Sequence, residues 1–386
     1  MERTNAYSLL DFLDNSPCNF FASATIQRYL DDNGFQELKQ SERWNLEKGG
    51  KYYVKKNDTA IFGFVIGETP LDQSGFNMIS AHSDSPCFRI KPNPEMLADG
   101  VLKLNTEVYG GPILYTWFDR PLSLAGRVIV RNPQNPARPI TKLIDFASPV
   151  LIIPHLAIHF NRNVNAGNPL SKQKDMLPIA AIVSDSMSKN NFLIDQIKER
   201  LEIADSKDIL DFDLMLYNCQ KSQLVGFNKE FICSGRIDDL SMAHAALSAL
   251  LNSDNPATTK VMAIFDNEET GSGTKQGAAS PVLASILHRV STCMGLDGEG
   301  FYQALSRSCL VSADNAHAAH PNYPEKYDPT NHPKMGGGPV IKINANCKYM
   351  TDAHSSAIFK EVCHAANVPC QYFVNHSDVA GGSTLG

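Results

Sequence analysis

The chain has 386 residues, 43% of them hydrophobic and 20% charged, with a formal net charge of −6. This composition excludes disorder, collagen and a coiled coil as the main character of the chain, and the acidic balance excludes nonspecific nucleic-acid binding through a basic face. At this length about two or three domains are expected, and a compact monomer would expose about 15,000 Å² of surface.

Residues 7 to 40 predict helix, with an apolar face at Leu9, Leu10, Phe12 and Leu13 that Pro17 interrupts and Ala22 to Leu30 resume. The opening MERTNAYSLLDFLDNS carries acids inside its apolar stretch and does not read as a signal peptide. Nine cysteines with no CxxC pair read as reduced thiols, so a cytoplasmic location is expected. From residue 51, KYYVKKNDTAIFGFVIG predicts two strands joined by an Asn57-Asp58 turn, and FNMISAHSDSP predicts a buried strand ending in a polar loop. Residues 92 to 228 are rich in proline and β-type runs such as LAGRVIVRN, with a loop-like NRNVNAGNPLSKQKD. Val150 to Phe160 is the most apolar stretch, but Pro154, His155 and His159 break it and it is too short to span a bilayer. After Ser234 an α/β alternation is expected: helices in SMAHAALSALLNS, PVLASILHRVS and Asp352 to Ala366, and strands in KVMAIFD, CLVSAD and Pro339 to Asn344.

Four apolar strands are expected to end in metal-capable residues. His82 and Asp84 follow MISA, Asp238 and Asp239 lie in GRIDDL, Glu268 and Glu269 follow AIFDN, and Asp314 follows LVSA. Each motif alone has a plainer reading: a surface HxD, a helix N-cap, a solvated acidic pair. Together, at one edge of a parallel sheet, they place like charges close enough to require cations. One imidazole with several carboxylates suits Zn, Co or Mn rather than a thiolate site, and an Asp can bridge two metals about 3.5–4 Å apart.

The segments AHSDSPCFRIKP, EVYGGPILYTWFDRPLSLAGRVIVRN, IPHLAIHFNRN, GRIDDL, DNEETGS, SADNAHAAHPNYPEKYDP, GPVIKINANCKYMTDA and GGSTLG run through nearly the whole chain. In that order the chain resembles the aspartyl aminopeptidase family of cytosolic di-metal exopeptidases. The resemblance implies an α/β fold: a central mixed sheet with helices on both faces, built from 1–91 and 229–386 and interrupted by an inserted, mainly β dimerisation domain at 92–228. It implies two divalent ions per subunit, most readily Zn, with Co or Mn as alternatives. His82 and Asp314 would hold one metal, Glu269 the other, and Asp238 would bridge them. Asp84 would orient His82, and Glu268 would be the general base. Lys342 would take the substrate carboxylate, Tyr349 would contact substrate, and His159 would reach the active site of a neighbouring subunit. The implied partners are peptides with an acidic N-terminal residue, with no nucleic acid and no membrane. The implied assembly is a homo-oligomer of dimers forming a dodecamer.

The chain departs from the family pattern at three places. The family continues past GGSTLG to a histidine ligand of the Glu269-side metal; nothing up to Gly386 occupies that position, and His376 does not match its motif. Tyr327 stands where the family has His, and Thr270 where it has Val or Ile. Two alternatives follow: a broad or neutral aminopeptidase, or a non-catalytic metal-binding or assembly subunit.

Overall fold

The computed structural model describes residues 2–183, 190–254, 256–379 and 381–382. The chain opens with helices α1 (Glu2–Asp14) and α2 (Asn19–Asp32), then strands β1 (Gln36–Glu37), β2 (Lys51–Lys56) and β3 (Ala60–Val65), the single turn α3 (Leu71–Ser74) and β4 (Phe76–His82). Next come β5 (Cys87–Ala98), β6 (Val101–Tyr109), β7 (Leu122–Val130), β8 (Ile140–Asp145), the turn α4 (Lys172–Asp175), β9 (Ile179–Ile182), helix α5 (Phe192–Arg200) and β10 (Ile209–Asn218). A hairpin of β11 (Gln223–Val225) and β12 (Phe231–Cys233) leads into α6 (Ile237–Leu251) and β13 (Thr259–Phe265). The remainder is α7 (Val282–Cys293), α8 (Gly298–Ser306), β14 (Cys309–Ser312), β15 (Val340–Ile343), α9 (Ala353–Ala365) and β16 (Gln371–Val374).

The first sheet has the order β1-β2-β3-β13-β4-β14. Its β3 and β13 are almost wholly buried, which is why AIFGFV and KVMAIF read as continuous apolar runs rather than alternating ones. Helices α1, α2 and α6 cover one face through Phe12, Leu13, Ile26, Leu240 and Leu247. Helices α7 and α8 cover the other through Val282, Ile286, Leu287 and Phe301. This is the mixed sheet with helices on both faces that the sequence leads one to expect. Asn57 and Asp58 lie in the three-residue turn that joins β2 to β3, with φ of 55° and 60°, left-handed conformations that Asn and Asp adopt more readily than most residues.

The second sheet is antiparallel, in the order β8-β7-β10-β5-β6-β9, around its own core of Phe88, Leu104, Leu124, Val128 and Leu214. Its first strand, β5, starts at Cys87, on the N-terminal side of the 91/92 boundary expected from composition.

Three expectations change. The helical stretch ends at Asp32, because the chain turns at Gly34 (φ 79°) and pairs Gln36–Glu37 with β2. The strand at Val340–Ile343 forms, but it pairs with β16 in a separate two-stranded parallel sheet. The total exposed area is 21157 Å², well above that of a compact monomer of this size. Apolar residues project from several edges, including Phe160 (82% exposed), Ile182 and Phe227. Among the described residues no helix is long and apolar enough to cross a membrane.

Candidate metal centre

Three parallel strands deliver the acidic edge. Strand β4 pairs with β13 so that His82 faces Phe265, and with β14 so that Ser80 faces Ser312, which brings their C-terminal ends level. His82 ends β4, Glu268 and Glu269 sit in the turn after β13, and Asp314 lies just past β14. The fourth contribution is not a strand end, contrary to expectation. Asp238 and Asp239 open α6, in non-helical conformations. Arg236 sets that entry: with φ 60° it turns the chain, and its guanidinium donates to the carbonyls of Ser16 and Leu13.

His82 is buried. Its Nδ1 lies 3.2 Å from Asp84 Oδ1, and its Nε2 lies 3.4 Å from Asp238 Oδ1 and 3.9 Å from Glu268 Oε2. The His82 backbone N–H donates to Asp239 Oδ2 at 3.1 Å. Asp84 accepts from the Tyr109 hydroxyl at 2.6 Å and from the backbone N–H groups of Glu268 and Glu269 at 3.2 Å each. One ligand atom each from His82, Asp238 and Asp314 falls within a 4.8 Å cluster, and so does one each from His82, Glu268 and Glu269. Lys342 Nζ donates to the Asn315 carbonyl at 2.9 Å, lies 3.7 Å from Asp314 Oδ2, and stands over the Tyr349 ring at 5.7 Å.

The electrostatics report too much negative charge in too little water. Burial, with the neighbouring carboxylates Asp84 and Asp238, pushes Glu269 up to about 7 against the pull of His82. Burial also raises Glu268 and Asp314, and takes Asp239 up to about 8. For His82 burial works downward, but hydrogen bonds to Asp238 and Asp84 overcome it and hold the imidazole at about 11. Asp84 moves the other way: burial opposes ionisation, yet His82, Tyr109 and the Glu269 N–H keep its carboxyl below the usual range. The site draws a cation to Nε2 of His82 and to the carboxylates around it. The donor set of imidazole and carboxylate oxygen, without thiolate, fits zinc or a similar divalent ion.

A cavity of about 280 Å³ opens beside the cluster, lined by Asp238, Glu268, Glu269, Asp314, Lys342 and Tyr349, among others. The structure thus gathers His82, Asp84, Asp238, Glu268, Glu269, Asp314, Lys342 and Tyr349. It does not bring His159 among them; His159 lies exposed in the turn Ile158–Phe160 and does not line this cavity. His376 borders the cavity but joins neither of the ligand clusters found among the described residues.

Sequence reasoning missed several contributors. Asp239 is fully buried, and one of its oxygens, Oδ1, has no partner. The sequence pairs it with Asp238 as metal-capable but gives no sign of its burial against the His82 N–H. His317 lines the cavity and stacks edge-on against Tyr327 and Phe373, with centroids at 5.6 and 5.3 Å. Tyr109 and Asn267 reach the cluster through hydrogen bonds from loop and strand ends. Only the presence of Tyr109 in EVYGGP and Asn267 in DNEETGS, both segments already singled out, could have flagged the last two.

Known proteins are similar to this chain in sequence and in fold. The chain is 52% identical over 382 residues to a probable M18 family aminopeptidase 2 of Clostridium novyi (strain NT), covering 99% of this chain and 88% of that protein. It is 41% identical over 379 residues to the probable M18 family aminopeptidase 2 of Pseudomonas aeruginosa (strain UCBPP-PA14), covering 98% and 86%. Its fold matches a chain in the cryo-EM structure of the Ape4 and Nbr1 complex with a TM-score of 0.94 at 35% identity, covering 100% of this chain and 77% of that one. It also matches the M18 aminopeptidase of Thermotoga maritima with a TM-score of 0.85 at 24% identity, covering 99% and 86%, a likeness of fold alone. Residues 12–386 match the family model described as aminopeptidase I zinc metalloprotease (M18), and the chain belongs to that family of zinc aminopeptidases.

Proposed function

We propose that the protein removes N-terminal Asp or Glu from peptides, using a pair of divalent metal ions and Glu268 as general base. The observation that carries this is the meeting of His82, Asp238 and Asp314, and of His82, Glu268 and Glu269, beside a cavity that holds Lys342.

In this reading His82, Asp238, Glu269 and Asp314 would hold the ions, with His82 and Asp314 serving one and Glu269 the other; such ions would supply polarisation of the scissile carbonyl and a more acidic water. Asp84 fixes the ring of His82 so that Nε2 faces the site. Glu268, whose proton affinity burial has raised, takes a proton from the attacking water. Its position at the edge of the cavity lets it return that proton to the departing amine as the C–N bond breaks. Lys342 neutralises the acidic side chain of the substrate, and Tyr349 packs along it. The charge-assisted contact has value because the lysine is largely withdrawn from water.

We assign the second sheet to an inserted dimerisation unit and His159 to the site of a neighbouring copy. The exposed apolar residues Leu156, Ile158 and Phe160 around His159 support a covered surface, as does the large exposed area of the single chain. One fold relative, yeast mApe1, forms a dodecamer, which supports assembly of this chain as a homo-oligomer.

A neutral preference is the second reading. Lys342 already donates to the Asn315 carbonyl and lies near Asp314, and Phe373 and Val374 add apolar wall to the cavity. Hydrolysis of a panel of peptides differing only in the first residue tests both: faster release of Glu than of Leu supports the acidic reading, and the reverse supports the neutral one. No release of any residue by zinc-loaded protein would overturn both.

A further inference from the structure

We infer that Tyr109 is a positioning residue that ties the second sheet to the metal centre. It ends β6, at the point where that sheet meets the acidic cluster. Its hydroxyl donates to Asp84 Oδ2 at 2.6 Å and accepts from Asn267 Nδ2 at 2.8 Å. Asn267 is itself held: its side-chain oxygen accepts from Thr274 Oγ1 at 2.7 Å and Gln276 Nε2 at 2.9 Å.

Asp84 is the hub of this arrangement. Its two oxygens meet Nδ1 of His82, the N–H groups of Glu268 and Glu269, and the Tyr109 hydroxyl. A buried carboxylate with four donors around it has one orientation; deprived of one donor it can turn, and its contacts to the other three partners lose geometry with it, although the Asp84 carbonyl still meets Nδ1 of His82 at 3.0 Å. The three partners here are the imidazole expected to hold metal and the backbone of the two glutamates. The next residue, Gly110, closes the contact. It has φ +69°, and a Cβ there would stand 3.0 Å from Glu269 Cβ, so β6 rests directly against the glutamate turn. The hydroxyl of Tyr109 therefore sets the aim of groups it does not touch, and displacement of the second sheet relative to the first would reach them through it.

This inference rests on the metal-centre reading above. The test uses the full chain as wild type, Tyr109→Phe, Asp84→Asn and the double variant. For each, zinc affinity is measured by chelator competition, kcat and KM on the best peptide, and unfolding of the metal-free protein by circular dichroism. Tyr109→Phe is expected to weaken zinc binding about 10-fold and to lower kcat by a similar factor. KM should stay within about twofold and the metal-free unfolding midpoint close to wild type. In the double variant the loss should be no greater than in Asp84→Asn, because both act through one carboxylate. Zinc affinity and kcat at wild-type levels in Tyr109→Phe would overturn the inference, as would losses that multiply in the double variant. Failure of wild type itself to bind zinc would instead overturn the metal-centre reading.

Discussion

Asp84 meets Nδ1 of His82 twice, with its backbone carbonyl at 3.0 Å and its Oδ1 at 3.2 Å, and these contacts leave Nε2 turned toward Asp238 and Glu268. A carboxylate on Nδ1 fixes which nitrogen is free to bind a metal and raises its basicity. Replacing Asp84 with Asn keeps the size but removes the charge. Zinc affinity should fall about 10- to 100-fold, read by chelator competition, and an unchanged affinity would contradict the orienting role.

Glu268 and Glu269 are adjacent and both reach the His82 cluster, but their surroundings differ. Glu268 Oε2 stands 3.9 Å from His82 Nε2, while Glu269 packs under Gly110. If Glu268 handles the proton, Glu268→Gln should lower kcat by about 10²- to 10⁴-fold and leave the zinc content measured by elemental analysis unchanged. A parallel loss of zinc would move Glu268 from base to ligand.

The sequence made the parallel part of the site legible. Strands β4 and β13 are apolar runs that stop abruptly at His82 and near Glu268, and such stops are where α/β sheets expose polar groups. Asp238 was harder to place. It belongs to no strand, and its position depends on Arg236 anchored to the end of α1, a contact between residues far apart in the chain. The same holds for Tyr109, at the end of β6, whose partner Asp84 lies in the loop between β4 and β5. Periodicity describes how one element buries its face; it carries no information about which loop meets which across two units. The small β15-β16 sheet escaped for a similar reason, because a four-residue strand has too little pattern to declare its neighbour.

Lys342 carries the specificity prediction. Lys342→Met preserves most of the stem while deleting the charge. Loss of one charge-assisted bond should lower kcat/KM for Glu-terminal peptides about 10- to 100-fold and leave Leu-terminal peptides nearly unaffected. Because Nζ is 3.7 Å from Asp314 Oδ2, zinc affinity must be measured alongside. Equal losses on both peptides would place Lys342 with Asp314 rather than with substrate.

Metal uptake should release protons. Without metal His82 holds its proton up to about 11, and Glu269 keeps part of its own near neutrality because its value is about 7. A metal needs the lone pair of Nε2 and an ionised carboxylate, so loading at pH 7 displaces at least about one proton, and apparent zinc affinity rises as pH rises. Calorimetric titrations at pH 7 in two buffers of different ionisation enthalpy should give different heats. Identical heats would mean that the site is already deprotonated before metal arrives.

His159 tests the assembly. In its own chain it is exposed and does not line the acidic cavity, so any part it plays in catalysis must come from a neighbouring copy. His159→Ala should therefore reduce activity although it alters nothing within its own site. Co-expression with Glu268→Gln separates the two roles. Each variant alone lacks one group at every site. In a two-fold pair made of one of each, the His159→Ala chain keeps its own Glu268 and receives His159 from its partner, so one site in that pair is complete. Random pairing makes about half the pairs mixed, and about a quarter of wild-type activity should return. Activity no higher than that of either variant alone, or full activity in His159→Ala by itself, would show that each chain works with its own residues only.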